Sequence, residues 1–303
     1  MMITSGAAMT TLTPEAASDL FRKAPDRYLD MGRGRGEVAV RTAGSGPDVL
    51  FVHGWPVHSA TFRKLLPYLV EHVTCHLIDL PGAGSSRYDS STDLSIANHV
   101  RSVQRSVELL ELDSVAVVGH DSGGMIARHA MVGKSALRSM GLIDTEQSGP
   151  MPLRFRSFIA TRRVPGFGAA FGWVAGRPRL RRNKFILGDV FADRSLLEGE
   201  FDEFFLRPLH ESPEIRTASA RLLKSFNLDD VAALADIHRR LDVPVQLVWG
   251  SEDRFLPLAG ARRMVSDFPD AELSEIHGAG LFSHEEKPAE VAAALLPTLV
   301  GSA

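Results

Sequence analysis

One short run constrains the fold of this chain more than any other: a strand that enters a glycine-flanked turn and leaves it as a helix. The strand spans 114–118, and the turn reads Gly119-His120-Asp121-Ser122-Gly123-Gly124. Such a turn accepts only very small neighbours and lifts the side chain at its tip above the edge of a sheet. The register places Asp121 at the tip, because choosing Ser122 would put His120 where the turn needs a glycine.

The rest of the chain supplies the sheet that such a turn requires. Apolar, β-branched runs alternate with helical patterns, the runs at 48–52, 74–79, 114–118, 137–144, 243–249 and 272–276 and the helices at 57–72, 94–111, 125–132, 258–268 and 288–299. Continuous apolar strands that alternate with helices indicate a parallel sheet buried on both faces. The predicted fold class is therefore α/β.

This alternation stops at Gln147 and resumes at Val243. The block between them holds ten of the sixteen phenylalanines, and 148–188 holds eight arginines, one lysine and no acidic residue. We expect a core made of 1–146 and 239–303, with 147–238 as a helical cap over the carboxyl ends of the strands, where open α/β sheets bind ligands. The arginines favour an anionic ligand; alternatively, they coat a cap whose phenylalanines pack on one another.

Composition excludes several kinds of partner. A formal charge of -3 and a pI near 6.4 give no basic surface for nucleic acid. No stretch approaches the ~20 apolar residues of a membrane span, the N-terminus lacks the features of a signal peptide, and the single Cys75 suits a reducing compartment, so we expect a cytoplasmic protein. We expect a small-molecule substrate, no cofactor, no metal, and a monomer or homodimer.

A carboxylate at the tip of the turn predicts a particular chemistry. An aspartate attacks a saturated carbon that carries a leaving group, or an epoxide carbon, and forms an alkyl ester that water must then cleave. Peptidase and ordinary esterase activity are disfavoured for this reason. The alternative is that Asp121 only caps the helix that follows, although a capping role does not explain a glycine at both flanking positions, Gly119 and Gly123.

Other segments supply partners for this carboxylate. After the strand 48–52 comes His53-Gly54-Trp55-Pro56, and we expect the backbone N–H groups of Trp55 and Ser122 to form an anion hole. After the strand 243–249, Asp253 is the acid best placed to orient a histidine. Asp144 and Glu146, after the preceding strand, are a second possible source of that acid. The pocket is expected to include His53, Trp173 and Phe282.

Five motifs in this order and separation resemble the α/β-hydrolase superfamily: HGWP, DLPGAGSS, GHDSGG, WGSEDRFLP and GAGLFSHEEKP. The sequence is most similar to the branch with an aspartate nucleophile, which contains epoxide hydrolases, haloalkane dehalogenases and haloacetate dehalogenases. The resemblance implies an eight-stranded, mostly parallel core with an inserted helical cap. It also implies the chain order nucleophile, acid, histidine, with Asp121 and Asp253 in the first two places.

The pattern fails at the third place, because Leu281 stands where the family has its catalytic histidine. Leucine cannot activate water, so an ester on Asp121 is expected to turn over slowly or not at all unless His277, His284 or His120 replaces the missing base. The subgroup signatures are missing too: all three tyrosines precede the cap, and the residue after Asp121 is Ser122 rather than tryptophan or arginine. An indole N–H of Trp55 or Trp173 remains a possible donor to a leaving group.

These observations predict a hydrolase-family enzyme that acts through Asp121 on an epoxide, halide or ester-like carbon of a bulky apolar substrate. Leu281 is expected to impair or abolish hydrolysis, either because the natural protein has left hydrolysis behind or because leucine is an inactivating substitution. One alternative is a non-hydrolytic biosynthetic cyclase or lyase that uses Asp121 as an acid or base. Another is a ligand-binding pseudo-hydrolase that keeps the pocket without turnover.

Overall fold

The structure is a computed structural model that describes residues 12–301. The strands within these residues are β1 (Arg27–Asp30), β2 (Glu37–Gly44), β3 (Asp48–Val52), β4 (Thr74–Asp79), β5 (Val115–His120), β6 (Leu137–Ile143), β7 (Val245–Gly250) and β8 (Ala271–Ile276). They form one sheet of eight strands in the order β1-β2-β4-β3-β5-β6-β7-β8. β2 is antiparallel to β1 and β4, and all other neighbours are parallel, so the predicted α/β class with a mostly parallel sheet is confirmed.

The helices lie on the sheet and between its strands. Within 12–301 the α-helices are α1 (Pro14–Arg22), α2 (Leu66–Leu69), α3 (Ile96–Leu109), α4 (Ser122–Met131), α5 (Leu153–Ala160), α6 (Phe167–Ala175), α7 (Pro178–Arg181), α8 (Arg207–Glu211), α9 (Pro213–Ser225), α10 (Leu228–Ala232), α11 (Leu234–His238), α12 (Leu258–Met264), α13 (Ser283–Glu286) and α14 (Pro288–Val300). Short 3-10 turns occupy Ser59–Phe62, Thr161–Arg163, Arg194–Leu197 and Val265–Asp267, and a π-helical turn occupies Asp202–Leu206.

The predicted strands agree closely with the observed ones. β3 and β4 have the predicted bounds, and β5 begins one residue later than predicted and continues to His120. All six residues of β5 are buried, as expected for a central strand covered on both faces. α4 packs against β3, β5 and β6, and α14 packs against β6, β7 and β8. The glycine-flanked turn 119–124, called the elbow from here on, therefore stands on the middle of the sheet.

The continuous helix predicted over 57–72 is wrong. The chain instead forms the 3-10 turn Ser59–Phe62 and the four-residue helix α2. The reason is Pro67, which lacks a backbone N–H and is tolerated only in the first turn of a helix, where it lies in α2. The amphipathic pattern of this segment is nevertheless confirmed, because its apolar residues Phe62, Leu65 and Leu69 are fully buried.

The inserted segment 147–238 lies between β6 and β7 and contains α5 to α11, with no strand among its residues. Its last helix, α11, packs against α4, so the segment is attached to the core at that end. Six of its ten phenylalanines lie together with Asp121 around one cavity, namely Phe155, Phe158, Phe171, Phe201, Phe205 and Phe226. The phenylalanines therefore do more than pack the segment on itself.

The arginines of this segment do not reach that cavity. Arg154 pairs with Asp189 at 2.5 Å and Arg182 with Glu198 at 2.9 Å, and the guanidinium of Arg177 stacks over the ring of Trp173. The acidic partners lie just beyond residue 188, where the basic run ends. No arginine or lysine lines the cavity within the described chain, so the structure gives no support to an anionic ligand.

Candidate active site

The elbow holds Asp121 in a strained backbone conformation between β5 and α4. Its φ is +50° and its ψ is -137°, a region that non-glycine residues rarely occupy. Asp121 stands at the N-cap position of α4 but makes no side-chain capping hydrogen bond, so helix capping does not explain it. The backbone is held instead by hydrogen bonds from Asp121 N to the carbonyl oxygens of Ile143 and Asp144 and from Thr145 Oγ1 to Asp121 O.

The flanking glycines are required by close backbone contacts. A Cβ on Gly119 would lie 2.5 Å from the Cα of Gly124, and a Cβ on Gly123 would lie 2.2 Å from Val52 O. Neither backbone can move without disturbing the centre of the sheet. The small residues inferred from the sequence are therefore explained by packing of the turn against β3 and α4.

Replacing Gly123 with alanine is expected to destabilise the fold by more than about 4 kcal/mol, because the new methyl group overlaps backbone oxygens of Val52 and His53. Gly133→Ala is the matched control, since Gly133 has open space around it and only its positive φ opposes a side chain, at a cost of about 1–2 kcal/mol. Urea unfolding monitored by circular dichroism measures both variants. Equal losses of stability would contradict the packing explanation.

Two donors converge on one oxygen of Asp121, the Trp55 N–H that was predicted and the hydroxyl of Ser122, whose backbone N–H was the predicted donor. The backbone N–H of Trp55 donates to Asp121 Oδ2 at 2.9 Å, and the hydroxyl of Ser122 donates to the same oxygen at 3.3 Å. Gly54 permits this approach, because a Cβ there would lie 2.5 Å from Oδ2. Burial raises the pKa of Asp121 to about 6, while hydrogen bonds from the backbones of Ser122 and Trp55 oppose the shift. The carboxylate is ionised at neutral pH and held in one orientation.

The cavity above Asp121 is almost entirely apolar. Its polar side chains are Asp121, Ser122 and Glu146, and the remainder are aliphatic, aromatic or proline side chains, including Leu281 and Phe282. The indole of Trp55 also lines it, but its Nε1 donates to Ser219 O at 3.0 Å and is not directed at a ligand. A ligand in this cavity would contact mainly hydrocarbon side chains, and at the floor of the cavity it would contact carboxyl groups.

Three residues, His53, Trp173 and Phe282, were expected to belong to the pocket, and the structure places them differently. Phe282 lines the cavity as predicted. Trp173 does not, because it lies on the surface and is 52% exposed, so neither it nor Trp55 can donate an indole N–H to a leaving group. His53 is buried beside the elbow, where its Nε2 accepts from Leu80 N and its Nδ1 contacts Gly54 O, and it faces a neighbouring cavity instead.

The three histidines that were predicted as replacement bases all lie away from the cavity in the described part of the chain. Leu281 itself lines the cavity. His277 is exposed after β8, and His284 is buried in α13 with its Nε2 hydrogen-bonded to Thr61 Oγ1. His120 points beneath the elbow, where its Nε2 meets Leu281 O at 2.9 Å, and burial lowers its pKa to about 4. None of these three histidines lines the cavity, so none is placed to activate water there.

Asp253 is buried, and only one of its two carboxyl oxygens is hydrogen-bonded within the described residues. Its Oδ1 accepts from the backbone N–H groups of Phe255 and Leu256 at 2.8 and 2.9 Å, whereas its Oδ2 has no hydrogen-bond partner within residues 12–301. Burial, reinforced by the charge of Asp121, raises the pKa of Asp253 to about 8.

Asp144, the second possible source of the acid, is not among the described residues that line the cavity. Its Oδ1 accepts from Gly250 N at 2.7 Å and its Oδ2 accepts from Ser283 Oγ at 2.5 Å, so it ties the end of β6 to β7 and α13. Burial raises the pKa of Asp144 well above its ordinary value, and the charge of Asp253 adds to this. These contacts give Asp144 a structural role.

Glu146 is the site residue whose position the sequence did not reveal. It was only one possible source of an acid, but its side chain lines the cavity beside Asp121 while being 1% exposed. Burial, with the charge of Asp121 second, raises the pKa of Glu146 to about 8. The floor of the cavity therefore combines one ionised and one neutral carboxyl group at neutral pH.

None of the helices within residues 12–301 has the length and apolar character that a membrane span requires. Across the same 12–301 region, no three His, Cys, Asp or Glu side chains are grouped so as to hold a metal ion.

Comparisons with known proteins place this geometry in context. The sequence model of the family described as alpha/beta hydrolase fold matches residues 47–288. A pimeloyl-[acyl-carrier protein] methyl ester esterase from Chromobacterium violaceum is 28% identical over 261 residues, which cover 82% of this chain and 93% of the relative. Haloalkane dehalogenase 2 from Mycobacterium bovis is 27% identical over 277 residues, covering 89% and 93%.

Among solved structures, an epoxide hydrolase, CorEH, superposes with a TM-score of 0.74 at 21% identity, covering 90% of this chain and 98% of that structure. At this identity the superposition supports the fold alone. The relatives include an esterase and a dehalogenase at nearly equal identity, so the comparisons do not choose between their reactions. That choice depends on the residues of the cavity.

Proposed function

The chain belongs to the α/β hydrolase fold family, and from that premise we propose that Asp121 is a nucleophile that attacks an epoxide or halide carbon and forms an alkyl ester. The observation that carries the proposal is the position of Asp121, a strained carboxylate at the floor of an apolar cavity. A carboxylate in this position is suited to attack carbon. The family relationship itself supports only membership of the hydrolases.

The hydrogen bonds at Asp121 give its two carboxyl oxygens different roles. The Trp55 N–H and the Ser122 hydroxyl both donate to Oδ2, which leaves Oδ1 to attack. Once the ester has formed, the same donors face the carbonyl oxygen on which charge would develop when water attacks. The role predicted for the anion hole thus belongs to the second step of the reaction.

Hydrolysis of that ester is expected to be slow. Water needs a base to attack the ester carbonyl, and Leu281 occupies the place where the family carries its histidine. Glu146 cannot supply the base at neutral pH, because its raised pKa of about 8 keeps it protonated. We therefore propose that the alkyl-enzyme ester accumulates.

We propose that the segment 147–238 acts as the cap of this chamber. Phenylalanines from α5, α6 and α9's C-terminal end contribute to the wall of the cavity, and the two carboxyl-bearing residues form its floor. Because the lining holds no cation within the described chain, a neutral apolar molecule suits it better than an anion. The cap would exclude bulk water from the Asp121 ester.

The test is intact-protein mass spectrometry after incubation with styrene oxide or, separately, phenethyl bromide, two neutral aromatic alkylating probes. The expected result is a persistent mass increase with either probe, mapped by peptide analysis to the segment that carries Asp121. Conversion of a probe without an adduct would instead support a cyclase, lyase or other acid–base reaction. Neither adduct nor conversion would favour a ligand-binding protein, and both of these outcomes contradict the proposal.

A further inference from the structure

We propose that Glu146 is the acid that protonates the oxygen of an epoxide while the Asp121 carboxylate opens the ring, which makes a neutral, apolar epoxide the preferred substrate class of this cavity. This inference rests on the proposed function of Asp121 and chooses between its two classes of substrate. Epoxide opening requires a proton donor at the leaving oxygen, whereas a halide leaves without a proton.

Glu146 is held next to Asp121 by a shared hydroxyl group. Thr145 Oγ1 donates to the backbone oxygen of Asp121 at 2.7 Å and lies 3.1 Å from Glu146 Oε2. Thr145 and Glu146 follow β6 directly, so they stand beside the elbow at the carboxyl end of the neighbouring strand. Both carboxyl-bearing residues line one cavity, where a single small molecule can contact the two.

The surroundings of Glu146 favour its neutral form. The nearest guanidinium, Arg128, donates to the backbone oxygen of Glu146 at 2.8 Å, to Thr145 Oγ1 at 2.9 Å and to Gly124 O at 3.0 Å. It makes no hydrogen bond to the Glu146 carboxyl among residues 12–301. The charge of Arg128 lowers the pKa of Glu146, but burial and the charge of Asp121 raise it more, so the carboxyl keeps its proton at neutral pH.

No other group in the lining supplies this proton as well. The lining contains no tyrosine and no histidine within the described residues, and the indole N–H of Trp55 is already bonded to Ser219 O. Ser122 donates its hydroxyl proton to Asp121 Oδ2 and is a far weaker acid than a carboxylic acid. The proton of Glu146 is therefore the one available to a leaving oxygen.

The step balances with these two carboxyl groups alone. Asp121 Oδ1 forms a bond to an epoxide carbon, and the bond from that carbon to the ring oxygen breaks. The ring oxygen takes the electron pair and the proton of Glu146, which leaves a hydroxyalkyl ester on Asp121 and a carboxylate on Glu146. Glu146 then takes a proton from solvent, because its pKa lies above neutral pH.

A halide is a poor fit for the same chamber. It would leave as an anion into an apolar cavity, and no indole or cationic donor of the described lining is free to bind it. Polar donors that stabilise the leaving group are what a halide requires in a low-dielectric site. We therefore expect phenethyl bromide to alkylate Asp121 more slowly than styrene oxide.

The test compares Glu146→Gln with wild type for both probes. Glutamine keeps the shape of the side chain but has no proton to transfer, so adduct formation with styrene oxide should fall by about 100-fold or more. The rate with phenethyl bromide should stay within about threefold, since that step needs no acid. Glu252→Gln, the same change at an exposed position, is the control and should alter neither rate.

The pH dependence provides a second readout. In wild type the rate with styrene oxide should rise through about 6 as Asp121 ionises and fall through about 8 as Glu146 loses its proton. The falling limb should be absent in Glu146→Gln, and absent with phenethyl bromide in either protein.

Each other outcome overturns the inference. Equal slowing of both probes in Glu146→Gln would mean that Glu146 only supports the structure of the cavity. An unchanged rate with styrene oxide would assign the proton to Ser122 or to water. If wild type forms no adduct with either probe, the proposed function of Asp121 itself fails, and that result differs from failure of Glu146 alone.

Discussion

A histidine in place of Leu281 is expected to accelerate hydrolysis of the Asp121 ester by about 10²- to 10⁴-fold, the range that a well-placed general base contributes. The structure gives two reasons. Leu281 lines the cavity that contains Asp121, so an imidazole at this position would face the ester. Asp253 Oδ2 is buried without a hydrogen-bond partner within residues 12–301, and it can accept a hydrogen bond from the imidazole N–H and so fix the orientation of the ring.

The measurement follows a preformed ester. Enzyme alkylated with phenethyl bromide is freed of excess probe, and the loss of the adduct is monitored by intact-protein mass spectrometry. Leu281→Asn is the matched control, because asparagine is polar and of similar size but is not a base. An ester that survives as long in Leu281→His as in Leu281→Asn would contradict the assignment of position 281.

The contribution of Asp253 can be separated with a double variant. In Leu281→His combined with Asp253→Asn, the amide that replaces Oδ2 would face the imidazole with a donor and favour the wrong tautomer. Most of the gained hydrolysis should be lost. If the double variant hydrolyses the ester as fast as Leu281→His, then Asp253 is not the acid of this site.

The sheet and the elbow were predictable because their causes are local. A buried parallel strand is a short apolar run, and β3 and β4 were found with their observed bounds. The glycines around Asp121 are required by contacts within the turn and with β3, and such requirements are visible as residue types. Pro67 limits the helix predicted over 57–72 for an equally local reason, since proline lacks a backbone N–H and fits only the first turn of a helix.

The chemistry of the cavity was less predictable because it depends on contacts between distant segments. Glu146 is next to Asp121 only because Arg128 and Thr145 fix the chain after β6, and no spacing in the sequence shows that. The prediction of an anionic ligand lost its support for a similar reason. Arg154 and Arg182 form ion pairs with acidic residues that lie after residue 188, just beyond the arginine-rich range 148–188.

Asparagine at position 121 is expected to abolish adduct formation with both probes, by at least about 10⁴-fold, because an amide oxygen is a very weak nucleophile toward saturated carbon. The geometry should survive this change. Asparagine tolerates a positive φ, and its amide oxygen can still accept the Trp55 N–H that now donates to Oδ2. An adduct that persists in this variant, for example on Ser122, would overturn the nucleophile assignment.

The same substitution is expected to stabilise the fold at alkaline pH. The pKa of Asp121 is raised from 3.8 to about 6, so wild type loses stability as pH rises between about 4 and about 6, and above that range the loss is complete. At 1.36 kcal/mol per pKa unit, Asp121→Asn should gain about 3 kcal/mol at pH 8 and almost nothing at pH 4. Urea midpoints at the two pH values measure this difference.

Asp113→Asn, an exposed change of the same kind, should show no such pH dependence and is the control. A gain in stability that accompanies complete loss of reaction would mean that the buried carboxylate of Asp121 lowers the stability of the fold. The carboxylate is then kept despite this free-energy cost, because reaction with carbon needs it ionised and poorly solvated. A loss of stability at pH 8 would show instead that the Trp55 and Ser122 hydrogen bonds outweigh burial, and that Asp121 is held there for structural reasons.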